Sequence, residues 1–162
     1  MTPKLPQKED SMRRLTEIIV HCTATPEGKN YTVEDIRHWH KKRGFSDIGY
    51  HYVIYLDGSV HEGRPIERVG AHCEGHNIST IGIAYVGGLD KDGNPKNTLT
   101  PRQEKSLYNL IQELMEKYPS IVSVSGHRAY ATKACPCFDV PQWLYLKMKM
   151  VHLQTSVFRR IF

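Results

Sequence analysis

Glu17-Ile18-Ile19-Val20-His21-Cys22 is the segment on which the fold of this chain turns. Glu17 to His21 is a short apolar run dominated by β-branched residues, the composition of a buried strand. Side chains alternate across a strand, so His21 and Cys22 point to opposite faces of the sheet. Only one of them can face a site, and the other packs inside. A histidine closing such a run needs a polar partner.

The chain downstream supplies elements to surround that strand. Thr32 caps a helix whose first turn holds Glu34 and Asp35, matched to the positive end of the helix dipole. Val33, Ile36, Trp39 and His40 recur at helical spacing until Gly44 stops the run. His51 to Leu56, Asp57-Gly58 and Ser59 to His61 predict a β-hairpin with a two-residue turn. Ile81 to Val86 predicts another strand, followed by a glycine- and charge-rich loop from Gly87 to Asn97. Asp90, Asp92 and Asn94 are spaced like calcium ligands, but prolines stand at the required glycine (Pro95) and glutamate (Pro101) positions, which excludes a calcium loop.

Thr100, Pro101 and Gln103 open a long helix with a capping box, and Leu107, Leu110, Ile111, Leu114 and Met115 form its apolar stripe. Ile121 to Ser125 predicts a strand that delivers Gly126-His127 at its end, and Asp139 caps a last helix through Val140, Trp143, Leu144 and Leu146. The order strand, helix, hairpin, strand, helix, strand, helix describes a single α/β domain, a central mixed sheet flanked by helices. His21 and His127 then both lie at strand ends. If their strands are neighbours, both imidazoles reach one edge of the sheet.

At 162 residues, 24% charged and 40% hydrophobic, the chain has the size and composition of one soluble domain with its own core. The net charge of +5 favours polyanionic partners, but no basic patch interleaved with aromatics supports a nucleic-acid partner, and none is expected. No apolar stretch reaches the length of a membrane span, and residues 1–10 lack the apolar core of a signal peptide. Cytoplasmic synthesis without a signal peptide is the expectation. Cys22, Cys73, Cys135 and Cys137 then read as thiols or ligands rather than a disulfide framework. Residues 1–14 predict a loose polar arm and residues 15–146 the domain. Residues 147–162 predict a basic amphipathic tail or helix extension, which docks on the domain or binds an anionic surface. A monomer is the default.

Chemistry-bearing residues gather near the predicted strand ends. His21, His127 and either Cys135 or Cys137 make a set of two imidazoles and one thiolate with a fourth position open, the pattern of a catalytic rather than a structural zinc. On spacing alone, His127 and Cys135 also read as a surface histidine and a buried thiol. Lys133 shares a face with Cys135 in an extended segment, where its ammonium can stabilise an oxyanion. Tyr50, in Gly49-Tyr50-His51-Tyr52, is a candidate acid or hydrogen-bond donor. His72, His76 and Asn77 add polar groups in a loop, whereas His38, His40, His61 and His152 are assigned no role.

Six segments taken together resemble one family. They are Ile19 to Thr25, Gly49 to Tyr52, Gly70-Ala71-His72, Ser79 to Ile83, Gly126-His127, and Lys133-Ala134-Cys135-Pro136-Cys137-Phe138-Asp139. In order and spacing they are similar to the zinc-dependent N-acetylmuramoyl-L-alanine amidases of the bacteriophage lysozyme and peptidoglycan-recognition type, over about residues 15 to 146. The resemblance implies an α/β domain with one Zn2+ in a surface cleft, and hydrolysis of the amide joining N-acetylmuramic acid to L-alanine. It implies His21, His127 and Cys135 as ligands, with Cys135 preferred to Cys137 by the family's pattern around the proline. Tyr50 matches the family's catalytic tyrosine and Lys133 the lysine near the metal. His51, His72 and Asn77 fall in segments lining the substrate groove. The implied partner is peptidoglycan or its muropeptides, reached after holin-type release or during muropeptide recycling. A non-catalytic muropeptide-binding module and a redox or structural zinc protein using Cys135-Pro136-Cys137 remain the alternatives.

Overall fold

The computed structural model describes residues 13–150 and 156–162. In chain order the elements are β1 (Glu17–Cys22), β2 (Thr25–Pro26), α1 (Val33–Lys42), β3 (Tyr52–Ile54), β4 (Val60–Glu62), β5 (Thr80–Tyr85), β6 (Gly88–Leu89), α2 (Pro101–Lys117), β7 (Ser123–Gly126), α3 (Val140–Met150) and α4 (Ser156–Ile161). A 3-10 turn at His127–Ala129 follows β7. The main sheet runs β4-β3-β5-β1-β7, parallel except for the antiparallel β3–β4 pair. The α/β domain with a mixed sheet is thus the observed fold, and β1 is flanked on both sides, as its unbroken apolar run requires.

The two sheet faces are packed differently. Ile18, Val20 and Cys22 of β1 and Ile81, Ile83 and Tyr85 of β5 join Leu107, Ile111 and Met115 of α2 and Leu144 and Met148 of α3 in the larger core. Val33 and Ile36 of α1 pack with Ile48, Val53 and Val86 in a smaller cluster. Alternation places Ile19 and His21 opposite the larger core, where their register partners on β5 are Gly82 and Ala84. These small residues leave room over the middle of the sheet for bulky rings.

Helices α1 and α2 start as their sequences require. Thr32 accepts from the Asp35 N–H while the Asp35 carboxylate accepts from the Thr32 N–H, and Thr100 and Gln103 make the same reciprocal pair. Gln103 is fully buried, and its Nε2 donates to the Val86 carbonyl at 2.9 Å, tying α2 to the end of β5. Asp139 caps α3 by accepting from the Gln142 N–H at 3.0 Å.

Several expectations are corrected. The hairpin turn is longer than two residues: Tyr55 N–H donates to Ser59 O, and Gly58 N–H donates to Tyr55 O. Gly58 takes φ +86° there, the left-handed position of a three-residue loop, which accommodates glycine without a Cβ penalty. The Gly87–Asn97 loop contains β6, which pairs with β2 in a small second sheet. On α3, Leu146 is 51% exposed and Met148 takes the buried position, because Val140, Leu144 and Met148 share one face at steps of four. The helix runs on through Met150, so residues 147–150 extend it. α4 turns back onto α2, with Val157 buried and Arg160 donating to the Met115 carbonyl at 2.6 Å, which favours docking over a free tail. Of the expected arm, Arg13 is anchored instead, its guanidinium donating to the carbonyls of Ile66, Ile78 and Thr80. Residues 1–12 lie outside the described residues.

Tyr85 connects the core to the segment that follows the 3-10 turn. Its buried hydroxyl donates to the Pro136 carbonyl at 2.6 Å. Tyr85→Phe keeps the ring and leaves that carbonyl without its donor, at an expected cost of about 1–3 kcal/mol. Urea unfolding measures it, and an unchanged midpoint would show that the hydroxyl does not hold the segment.

Candidate metal centre

Parallel pairing brings the two strand-end histidines together. β1 and β7 run in register with Val20 opposite Gly126, so the next residue on each is a histidine. The His21 and His127 rings stand 4.6 Å apart. The sulfur arrives on the segment after the 3-10 turn, where the Arg128 N–H donates to the Cys135 carbonyl at 2.7 Å. Cys135 Sγ then lies 4.0 Å from His21 Nδ1. One ligand atom from each of His21, His127 and Cys135 lies within 4.8 Å of the others.

The choice among cysteines is electrostatic. The Cys22 backbone N–H donates to Cys135 Sγ at 3.3 Å. The Cys22 thiol interacts with the same sulfur, holding Cys135 below the ordinary thiol value and raising Cys22 far above it. Cys22 packs its own side chain in the larger core, so Cys135 is the sulfur left beside the imidazoles, with a backbone N–H favouring its ionised form. Cys137 Sγ sits 3.3 Å from the Gly88 carbonyl, and burial pushes its thiol up to about 11. It is turned away from the imidazoles, so it does not close the fourth position. A sulfur that accepts from a backbone N–H, beside two imidazoles whose protonation burial disfavours, is a donor set that fits zinc.

A cleft of about 620 Å³ opens at His127, lined also by Tyr50, Lys133 and Tyr130. The Tyr50 ring lies 5.2 Å from His21 and 5.3 Å from His40. Burial raises its phenol above the ordinary range, so it is a protonated donor at neutral pH. Lys133 is exposed at the cleft wall, and its charge adds to burial in disfavouring protonation of His21 and His127.

The remaining sequence candidates each make hydrogen bonds within the fold. His51 is buried beneath the cleft, its Nδ1 accepting from the Gly82 N–H at 3.0 Å and its Nε2 donating to the Arg68 carbonyl at 2.9 Å. His72 reaches the cleft wall, but both ring nitrogens are engaged by His21 and Thr80. Asn77 also lines the cleft, yet its Oδ1 accepts from the His72 and Cys73 N–H groups and shapes the loop. In each case a polar ring or amide is engaged by its neighbours in the fold.

His40, assigned no role from sequence, lines the cleft and accepts from the Gly49 N–H through Nδ1 at 2.9 Å. Its position on the apolar stripe with Val33 and Ile36 was the available signal: a polar ring on a buried face needs a partner. Arg43 and Tyr130 at the cleft had no such signal. Burial pushes both His40 and His51 down to about 4. Protonation would set N–H against N–H in each.

The unfolded chain therefore binds these protons at higher pH than the native one, and stability falls as the pH drops from about 6.5 towards about 4. His40→Gln retains an acceptor for Gly49 without titrating, so it should flatten part of that slope in urea melts taken across the window. An unaltered slope would clear His40 of the effect.

Three protein ligands with a free fourth position separate a catalytic metal site from a structural one, and on that ground the fold carries a candidate hydrolytic centre. Comparison with known proteins makes the class specific. Residues 11–138 match the family described as N-acetylmuramoyl-L-alanine amidase, and the chain belongs to that family. It is 44% identical over 126 residues to the endolysin of Escherichia phage T7, covering 78% of this chain and 83% of that one. It is 41% identical over 129 residues to the endolysin of Enterobacteria phage K11, covering 80% and 85%. Among solved structures, the endolysin N-acetylmuramoyl-L-alanine amidase LysCS from Clostridium intestinale superposes with a TM-score of 0.72 at 32% identity, covering 86% of each chain.

Proposed function

We propose that this chain hydrolyses the amide between N-acetylmuramic acid and L-alanine of peptidoglycan by a zinc-dependent route, with His21, His127 and Cys135 as ligands and Tyr50 and Lys133 as catalytic groups. The amidase activity itself is that of the family to which the chain belongs. The observation that carries the metal assignment is the convergence of two imidazoles and a sulfur within 4.8 Å of one another, with His127 among them lining the cleft. A zinc ion bound there supplies a nucleophile at neutral pH and a Lewis acid for the lactyl carbonyl.

The chain's own residues do the rest. The cleft holds the glycan–peptide junction against His127. The Lys133 ammonium stabilises negative charge developing on the carbonyl oxygen. The Tyr50 phenol, protonated at neutral pH, donates to the attacked carbonyl or the departing alanine nitrogen. Arg43 and Lys133 favour the carboxylates of a stem peptide over a neutral ligand.

The chain retains the full ligand set, which disfavours a pure muropeptide-binding module. Cys137, held against the Gly88 carbonyl, disfavours a closed structural or redox zinc site. Peptidoglycan as the partner of a monomer, and access to the wall after holin-type release of a cytoplasmic product or through muropeptide recycling, complete the proposal. Among the described residues no helix is long and apolar enough to cross a membrane.

Digestion of purified peptidoglycan by zinc-loaded protein tests the reading. New L-alanine amino termini without new reducing sugar ends are expected. No new termini of either kind, with zinc confirmed bound, would transfer the proposal to the binding module.

A further inference from the structure

Behind the ligand His21 stands a chain of hydrogen bonds whose directions can be worked out from one end. The Thr80 hydroxyl has a single proton, and it donates to the His76 carbonyl at 2.7 Å, since a carbonyl can only accept. Thr80 Oγ1 also lies 3.1 Å from His72 Nε2. With its proton committed, Thr80 can only accept there, so His72 carries its proton on Nε2. His72 is 8% exposed and its ring nitrogens meet only His21 and Thr80, with no carboxylate to balance a charge, so the ring is neutral and its Nδ1 is a bare lone pair. That lone pair lies 2.8 Å from His21 Nε2, which must therefore be the donor. His21 is left with its lone pair on Nδ1, the atom that faces Cys135 Sγ at 4.0 Å.

The slot for the His72 ring is built into the backbone. A Cβ at Gly82 would stand 2.6 Å from His72 Cγ, and one at Gly70 would stand 2.8 Å from His72 Cδ2. The ring also meets His21 edge-on, with centroids 4.9 Å apart. Thr80 is buried at the start of β5, on the strand next to His21, so both ends of the chain of bonds are fixed to the sheet.

We propose that His72 and Thr80 are positioning residues: together they impose the Nε2–H tautomer on His21 and aim its Nδ1 at the metal. This rests on the zinc-ligand reading above and deepens it. His72 thus acts through His21 rather than on substrate, although it borders the cleft. A neutral imidazole free to exchange tautomers would present Nδ1–H to the metal for part of the time and would bind more weakly. Holding the other ring nitrogen in a hydrogen bond removes that competition and makes the ligand more basic.

The test uses the full chain, its Thr80→Val, Thr80→Ser and His72→Phe variants, and zinc as the probe. Long-range proton–nitrogen spectra of the metal-free wild type should show both His21 and His72 as Nε2–H tautomers. Chelator competition should show zinc binding weakened about 10–100-fold in Thr80→Val and His72→Phe. Thr80→Ser, which keeps the hydroxyl, should restore binding close to wild type. The visible absorption of the cobalt-substituted protein should shift in Thr80→Val and not in Thr80→Ser.

An Nδ1–H tautomer at His72 would overturn the proposal. So would a folded Thr80→Val that binds zinc as tightly as wild type with the same cobalt spectrum. Failure of the wild type to bind zinc at all would sink the zinc reading instead, while the tautomers of the metal-free protein would still decide the hydrogen-bond chain.

Discussion

Cys135→Ser is expected to abolish hydrolysis of the muramoyl–alanine bond and to weaken zinc binding by at least about 100-fold. Loss of a hydrogen-bonding partner behind a metal ligand already costs about 10–100-fold in affinity, so loss of the ligand itself exceeds that range. Serine keeps the shape of the side chain but stays protonated at neutral pH, whereas hydrogen bonding with Cys22 lowers the Cys135 thiol below its ordinary value. Cys137 offers no rescue, because its sulfur is directed at the Gly88 carbonyl. Cys137→Ser accordingly serves as the control and should retain zinc binding and activity. Isothermal titration with zinc and peptidoglycan digestion check both variants. Full activity of zinc-supplied Cys135→Ser would remove Cys135 from the ligand set.

Tyr50→Phe is expected to separate chemistry from metal binding. The phenylalanine ring preserves the contacts with His21 and His40 and removes only the phenol. Turnover should fall on the order of 100-fold or more, the scale of a lost general acid or positioned donor, with one zinc still bound per chain. The loss should appear in kcat, since the hydroxyl acts on charge that develops during reaction. A variant with unchanged kcat would show that the phenol takes no part in the chemistry. A variant that loses its zinc would show instead that Tyr50 supports the metal site.

How far these residues were legible in advance follows from the range of the forces that place them. β1 and α2 were readable because their signals are local: a β-branched run with no polar break, and a capping box followed by an apolar stripe. The ends of elements were less so. The strand expected at Ile121–Ser125 runs from Ser123 to Gly126, and Leu146 yields its buried place to Met148. Which side of a short apolar segment faces the core depends on what packs against it. The pairing of β2 with β6 was not legible, since each contributes two residues and neither has a pattern of its own.

The site divides the same way. His21 and His127 stood out by residue type and position, while Cys135 over Cys137 and the roles of Tyr50 and Lys133 came from the family resemblance; the structure brings His21, His127 and Cys135 within 4.8 Å of one another and puts Tyr50, His127 and Lys133 on one cleft. His72 and Asn77 border the cleft and His51 does not, and the contacts each makes within the fold were beyond the sequence. A side chain's hydrogen-bond partners come from other strands and loops, as when Thr80 and His21 claim the two nitrogens of His72. His40 went unassigned for the same reason, as its partner Gly49 lies beyond the helix.

By itself the sequence determined the class of fold, the strand that carries His21 and the residue types available for a metal, because periodicity, capping and side-chain chemistry act within a few residues. Only the tertiary structure decided that β1 lies beside β7, that Cys135 and not Cys22 or Cys137 presents its sulfur to the imidazoles, and which nitrogen of His21 is left bare. Those outcomes depend on register between distant strands and on the direction of buried hydrogen bonds, which exist only once the chain has closed on itself.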